Sequence, residues 1–183
     1  IASFQEPDEG LEHQQSIDID AVTPPEDLET VWERYGHLSS EGRVSWILNR
    51  PFDFRYVESD IMLRVAEKTS QQQIWLRARD TMPDGQHLHA AALAFASDYT
   101  LLEPIARKHG IPWATPGMRA ASLDHAMWFH RPFRADEWWL YDQFSPFAGG
   151  ARGLALARVF TQSGELVATV AQEGLIRPHD GRA

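Results

Sequence analysis

The run from His87 to Asp98 limits the possible folds of this chain more than any other stretch. It contains strong helix formers and neither proline nor glycine, which predicts a helix. Its apolar residues do not keep to one stripe, a pattern typical of a helix that is buried all round. A carboxylate at the end of a buried helix is costly to desolvate unless something pairs with it or uses it. Asp98 is therefore the first candidate functional residue.

Two stretches before this helix alternate between apolar and polar residues, as half-buried strands do. They run from Pro51 to Val57 and from Ile74 to Arg79. The segment Met82–Gly85 that follows them carries residues typical of a turn. Asp84, within that turn, is expected to cap the N-terminus of the helix.

Four further strands are predicted after the helix, at Ser122–Phe133, Glu137–Phe144, Gly153–Thr161 and Glu165–Arg177. The last two are joined by a tight hairpin in which Gly164 can take a positive φ. The order of elements is two strands, one apolar helix and then a meander of strands. This order predicts an α+β fold in which one antiparallel sheet wraps around one long helix. A doubly wound α/β fold would need more helices between successive strands.

The N-terminal arm accounts for the whole net negative charge of the chain. Nine of the 26 acidic residues lie within residues 1–30, which hold no Lys or Arg, and the other seventeen match the seventeen basic residues. The balanced body gives no support for a nucleic-acid surface, and we interpret the arm as a solvated connector. Thr23 and Glu26 have the spacing of a capping box, so a helix is expected to start there and to stop at Gly36.

Composition excludes several classes of site. The chain has no Cys, so disulfides, thiolate metal ligands and a Cys nucleophile are excluded. His87 and His89 lie two positions apart on a helix, on different sides, and no His-Glu-x-x-His pair occurs. No Gly-rich phosphate loop is present, and no apolar run reaches the length of a membrane span. We therefore expect no metal, no cofactor and neither a nucleic-acid nor a membrane partner.

The final strand places one polar residue where an apolar one is expected. By its period of two, Gln172 shares a face with Ala168, Val170 and Gly174. An amide on a core face must find hydrogen-bond partners or cost about 1–3 kcal/mol. Small neighbours also leave room for a ligand beside it. A structural alternative stays open, in which Gln172 only satisfies a local backbone group.

The stretch that begins at Ser122 is dense in polar groups. If it were one strand, Ser122, Asp124 and His130 would share a face, and His125 would point to the opposite face. Asp and His near a Ser suggest a nucleophilic triad. We disfavour that interpretation, because no Gly-x-Ser-x-Gly elbow surrounds Ser122.

Three polar residues could instead hold one water molecule. Asp98 would take its proton, while the Ser122 hydroxyl and the Gln172 amide would fix its position. This arrangement suits hydrolysis by an activated water. The residues alone leave open a second possibility, a polar core without catalytic function.

Several motifs resemble the acyl-CoA thioesterase II family, and they cover nearly the whole chain. The matching segments are Ser122–Phe133, Asp136–Tyr141, Arg152-Gly153, Val170–Arg177, Phe95–Asp98, Phe4-Gln5 and Gly10–Gln14. Members of that family are double hotdogs that hydrolyse acyl-CoA thioesters to free fatty acid and CoA. The resemblance implies that Asp98, Ser122 and Gln172 are the family's water-activating trio.

The resemblance also implies a domain organisation. Residues 1–5 would be the last strand of a truncated N-terminal hotdog, residues 6–50 a connector with a short helix, and residues 51–183 the C-terminal hotdog. Because a lone hotdog exposes strand edges, we expect the missing N-terminal segment as a partner, or a homo-oligomer. The ending His179–Ala183 lacks a Ser-Lys-Leu address, which favours a cytoplasmic enzyme of bacterial type.

Two other functions remain open at this stage. The first is a hotdog hydratase or dehydratase that acts on acyl-CoA, which would need Asp and His to converge on one substrate carbon. The second is a non-catalytic module that binds acyl-CoA or a partner. Neither the acyl chain length nor the residues that bind the CoA phosphates follow from the sequence.

Overall fold

A computed structural model describes residues 1–6, 8–41 and 45–177 of the chain. The helices are α1 (Val31–Tyr35), α2 (Ser45–Leu48), α3 (Gln86–Ser97) and α4 (Glu103–His109). The strands are β1 (Phe52–Tyr56), β2 (Gln71–Ala78), β3 (Arg119–Ser122), β4 (Ala126–Phe129), β5 (Trp139–Gly149), β6 (Arg152–Thr161) and β7 (Leu166–Arg177). Short 3-10 turns lie at Ile19–Ala21, Pro25–Asp27 and Gly36–Glu41.

The described strands form one antiparallel sheet. Their order is β1-β2-β5-β6-β7, and both β3 and β4 pair with β7 at its far edge. On β1 the three aromatic residues are buried and the residues between them are partly exposed, as the alternation predicts. The hairpin between β6 and β7 turns at Gly164, which has a φ of +85°. The predicted α+β fold, with one sheet packed on one long helix, is therefore confirmed.

The predicted strand Ser122–Phe133 is wrong, because two short strands replace it. Ser122 pairs with Gly174 and Ala126 pairs with Ala171, so three residues of this segment lie opposite two residues of β7. The extra residue breaks the strand and reverses the alternation of side chains beyond it. A sequence read with an unbroken period of two therefore assigns the wrong face to every residue after the break.

The long helix α3 is buried on one side only, so the prediction of all-round burial is wrong for this chain. His89, Leu93, Ala96 and Ser97 are buried against the sheet, whereas Phe95 is 58% exposed. The predicted cap is wrong as well. Gly85 occupies the N-cap position, and Asp84 instead forms an ion pair with Arg134 at 2.7 Å.

The helix α4 lies very close to the sheet, because two glycines face it. A Cβ at Gly174 would lie 2.5 Å from a methyl carbon of Leu102, and a Cβ at Gly153 would lie 2.6 Å from one of Ile105. Any larger residue at either position would collide with these side chains and force them to shift. The contact fixes the segment that follows α3, and this segment begins at Asp98.

The N-terminal arm covers the opposite face of the sheet. Trp75, Leu140 and Phe160 form a second apolar cluster there with Val22, and the indole of Trp75 donates to the carbonyl of Thr23 at 2.9 Å. Thr23 therefore lies in this arm and caps no helix. The capping box is formed seven residues later by Thr30 and Glu33, which exchange bonds of 2.9 and 2.7 Å at the start of α1.

Two further observations concern the ends and the surface of the described chain. Residues 1–6 are exposed and form no strand in this structure, so the strand expected at Ile1–Gln5 is not observed. Its assignment to a preceding hotdog stays a prediction. Among the described helices, none combines the length and the apolar character that a membrane span requires.

Candidate active site

Asp98, Ser122 and Gln172 meet at one point, although they are distant in the sequence. The Ser122 hydroxyl donates to Asp98 Oδ1 at 3.0 Å. The Gln172 amide nitrogen donates to the same carboxylate oxygen and, at 2.6 Å, to Ser122 Oγ. The three residues that the sequence singles out are thus in direct mutual contact.

Each member of this trio comes from a different element. Asp98 directly follows the last residue of α3, and Ser122 is the last residue of β3. Gln172 lies on β7, two residues before the Gly174 that pairs with Ser122. Because residues two apart on a strand share a face, the Gln172 side chain reaches the same side of the sheet as Ser122.

Burial within the trio differs from the prediction for Asp98. Gln172 is fully buried, but Asp98 and Ser122 are exposed. Asp98 escapes burial because it lies just past the end of the helix, at the surface. The prediction of a buried carboxylate is therefore wrong, whereas the prediction of a core-facing Gln172 is confirmed.

The hydrogen bonds leave two acceptor atoms of the site available. Asp98 Oδ1 receives both donors, and no described residue donates to Asp98 Oδ2. Gln172 Oε1 is buried and also lacks a partner among the described residues. A buried acceptor without a donor is costly, so a bound molecule with a hydrogen-bond donor is favoured here. An available carboxylate oxygen in this position can accept a proton from water.

The structure does not form the Ser-His-Asp triad considered from the sequence. Ser122 contacts Asp98 and Gln172, whereas the ring of His130 contacts Thr169 Oγ1 at 2.8 Å. Asp124 Oδ1 accepts from the backbone N–H of Glu173 at 2.8 Å. His125 also lies on the side of α3, where its Nε2 is 2.9 Å from Ser97 Oγ. The expectation that His125 faces away from Ser122 is therefore wrong, and the cause is the extra residue between β3 and β4.

Two groups that sequence reasoning missed hold the end of α3. Ser97 is fully buried, and its carbonyl accepts a hydrogen bond of 3.0 Å from the Tyr141 hydroxyl. Burial raises the pKa of Tyr141 well above its ordinary value, and the negative charge of Asp98 raises it further. Tyr141 therefore stays protonated and remains a donor. Only the polar hydroxyl of a Tyr in an otherwise buried strand could have indicated this contact from the sequence.

A buried polar network lies behind the site, centred on Glu103 of α4. Its carboxylate accepts from the Gln72 amide at 2.8 Å and from the Trp113 indole at 2.9 Å, and Tyr56 lies at 3.4 Å. Burial raises the pKa of Glu103 to about 7, although the Trp113 and Gln72 bonds oppose that shift. Arg107 completes the network through the Gln72 carbonyl oxygen at 2.7 Å.

Metal ligands are not grouped in the described part of the chain. Within residues 1–6, 8–41 and 45–177, no cluster of three or more His, Asp or Glu side chains could hold a metal ion. The trio itself offers one carboxylate, one hydroxyl and one amide. These groups can orient a water molecule without a metal ion.

Comparison with known proteins supplies the family. A family model for acyl-CoA thioesterase matches residues 49–175. Mouse acyl-coenzyme A thioesterase 8 is 38% identical over 190 residues, which cover 96% of this chain and 58% of that protein. Acyl-CoA thioesterase II TesB2 from Mycobacterium marinum is 44% identical, with a TM-score of 0.74 over 97% of this chain and 62% of that structure.

The fold can be named from a more distant structure. A protein of unknown function with a hot dog fold, from Alicyclobacillus acidocaldarius, has a TM-score of 0.65 at 15% identity. The match covers 93% of this chain and 58% of that structure. The sheet and the helix α3 thus define a hotdog-fold protein. The chain belongs to the acyl-CoA thioesterase family, and it spans 58% of the length of its mouse relative.

Proposed function

We propose that the protein containing this chain hydrolyses acyl-CoA thioesters to a free fatty acid and CoA by means of an activated water. The observation that carries the proposal is the convergence of Asp98, Ser122 and Gln172, with Asp98 Oδ2 available beside them. Membership of the acyl-CoA thioesterase family supplies the substrate class.

The chemistry assigns one role to each member of the trio. Asp98 is the general base, which accepts a proton from water as the water oxygen attacks the thioester carbonyl. Ser122 and Gln172 fix the carboxylate through its Oδ1, so that Oδ2 points towards the attacking water. When the tetrahedral intermediate collapses, the carbon–sulfur bond breaks. The proton on Asp98 then passes to the CoA thiolate, which restores the carboxylate.

The proposal extends to the missing part of the protein. The chain covers only 58% of its mouse relative, so we propose that another hotdog unit precedes residues 6–50 as a segment or a partner chain. Two exposed aromatic side chains, Phe95 on α3 and Trp128 on the edge strand β4, support the proposal, because such a unit could cover them. An oligomer and a cytoplasmic location are part of the same proposal, and size analysis and cell fractionation test them.

One experiment tests the activity directly. The whole protein, as its gene encodes it, is incubated with saturated acyl-CoA substrates of different chain lengths, and release of free thiol is measured. We expect turnover by the parent protein and its loss in Asp98→Asn. If Asp98→Asn hydrolyses these substrates at the parent rate, the assignment of Asp98 fails. In a parallel incubation with enoyl-CoA, consumption of that substrate without thiol release would instead favour a hydratase.

A further inference from the structure

The break between β3 and β4 contacts residues that are adjacent in sequence to two members of the trio. Residues 123–125 form this break, where three residues lie opposite two residues of β7. Asp124 bonds to the backbone of Glu173, which follows Gln172. His125 bonds to Ser97, which precedes Asp98. The two side chains therefore connect the three elements that carry the trio.

The Asp124 contact fixes the break to β7. Asp124 Oδ1 accepts from the Glu173 N–H at 2.8 Å, and the Leu123 N–H donates to the Glu173 carbonyl at 2.8 Å. Both backbone groups of Glu173 are thus used by the segment that follows Ser122. This arrangement sets the position of Ser122 relative to Gln172.

The His125 contact fixes the break to α3. Ser97 Oγ donates to the carbonyl of Ala94 at 2.9 Å, and His125 Nε2 lies 2.9 Å from Ser97 Oγ. A hydroxyl has only one proton, and Ser97 uses it in the bond to the Ala94 carbonyl. The His125 ring is therefore the donor to Ser97 Oγ, which accepts. Ser97 is then not activated as a nucleophile. The bond instead attaches the last residue of α3 to the segment that follows Ser122.

We propose that His125 is a positioning residue for the hydrolysis, which acts through Ser97 to hold Asp98 against Ser122. This inference rests on the proposed function of the trio. Asp98 is exposed and lies at a helix end, where local opening costs little free energy. Without the His125 bond, the end of α3 can move relative to β3, and Asp98 loses its alignment with the attacking water.

The expected effect is on turnover and much less on substrate binding. A displacement of about 1 Å at a catalytic group can cost about a hundredfold in rate. We therefore expect His125→Ala to lower kcat about tenfold to a hundredfold, with a change in KM of less than about twofold. Because the bond uses Nε2, His125→Gln retains a donor at a similar distance from the backbone. This variant is expected to regain most of the lost kcat.

The experiment measures thiol release by the whole protein as its gene encodes it, for the parent, Asp98→Asn, His125→Ala and His125→Gln. Ser97→Ala should lose as much kcat as His125→Ala, and the double variant should lose no more, because both remove the same bond. His130→Ala is the matched control. Its ring also bonds to a hydroxyl on β7, that of Thr169, but it has no contact with α3 among the described residues.

The outcomes separate the inference from the proposed function. Parent-like kcat in His125→Ala, with Asp98→Asn inactive, would overturn the positioning role alone. Activity in Asp98→Asn would overturn the function on which it rests. An equal loss of kcat and Tm in His125→Ala and His130→Ala would show a general structural effect, and would also overturn the inference. So would a failure of His125→Gln to recover activity, or a changed pH profile of kcat in His125→Ala.

Discussion

The Tyr141 hydroxyl donates to the carbonyl oxygen of Ser97 at 3.0 Å, and both residues are buried. Tyr141→Phe removes the donor and leaves that carbonyl in a dry environment. We expect a loss of about 1–3 kcal/mol in the free energy of unfolding, together with a lower kcat, since Ser97 precedes Asp98. Urea unfolding and thiol release measure the two effects. Unchanged stability would show that the carbonyl finds another donor.

Asp98→Asn should separate activity from stability. The carboxylate lies at the C-terminus of α3, where the last carbonyl groups disfavour a negative charge. We expect the variant to lose about 10²–10⁴-fold in kcat, because a general base contributes that much. Its Tm should equal or slightly exceed that of the parent. A lower Tm with an equal loss of activity would instead indicate that the carboxylate has a structural role.

Gly174→Ala tests the close approach of α4 to the sheet. The new methyl group would lie 2.5 Å from a carbon of Leu102, so this buried side chain must shift. Overpacking of this kind costs about 1–3 kcal/mol, and the shift reaches the segment that begins at Asp98. We expect lower values of both Tm and kcat. Gly10→Ala is the control, since nothing lies within 4 Å of its new Cβ, and it should match the parent.

Glu103 should make the stability of the fold depend on pH. Burial raises its pKa from 4.5 to about 7, so between these values the folded chain keeps a proton that the unfolded chain has released. Its contribution to stability is therefore complete below about pH 4.5 and is lost as the pH rises to about 7. At about 1.4 kcal/mol per pKa unit, the loss is about 3 kcal/mol.

The measurement compares the parent with Glu103→Gln by urea unfolding from pH 4.5 to pH 8. Since Gln cannot titrate, the stability of the parent relative to the variant should fall across this range. Glu165→Gln, which removes a carboxylate from the surface, controls for the change in net charge. A difference between parent and Glu103→Gln that is constant with pH would contradict the prediction.

Much of the fold follows from local patterns. The alternation on β1 and β7 and the turn at Gly164 agree with the structure. Gln172 stands out as a polar residue on an apolar face, whereas Asp98 and Ser122 are indicated by their places at the ends of predicted elements and by the resemblance to a family. Their mutual contact is a property of the tertiary structure, and no spacing in the sequence predicts it.

Two of the errors arise from competition between equivalent local signals. Thr23 and Thr30 both precede a Glu at capping-box spacing, and only the packing of the N-terminal arm on the sheet selects Thr30 as the helix cap. Asp84 is a residue type that caps helices, but here its carboxylate forms an ion pair with Arg134 and Gly85 takes the N-cap position. The exposure of Phe95 does not follow from the pattern of α3, because a helix with apolar residues on all sides does not show which side meets the sheet.

The unequal count of residues between β3–β4 and β7 has a consequence for how this sequence can vary. Point substitutions at Leu123 leave the geometry of the break intact, because its backbone makes the contact with Glu173. Deletion of one residue there would restore a regular ladder and remove the bulge from which Asp124 contacts Glu173 and His125 contacts Ser97. Natural variants of this protein should therefore tolerate replacement at Leu123 but neither insertions nor deletions between Ser122 and Ala126.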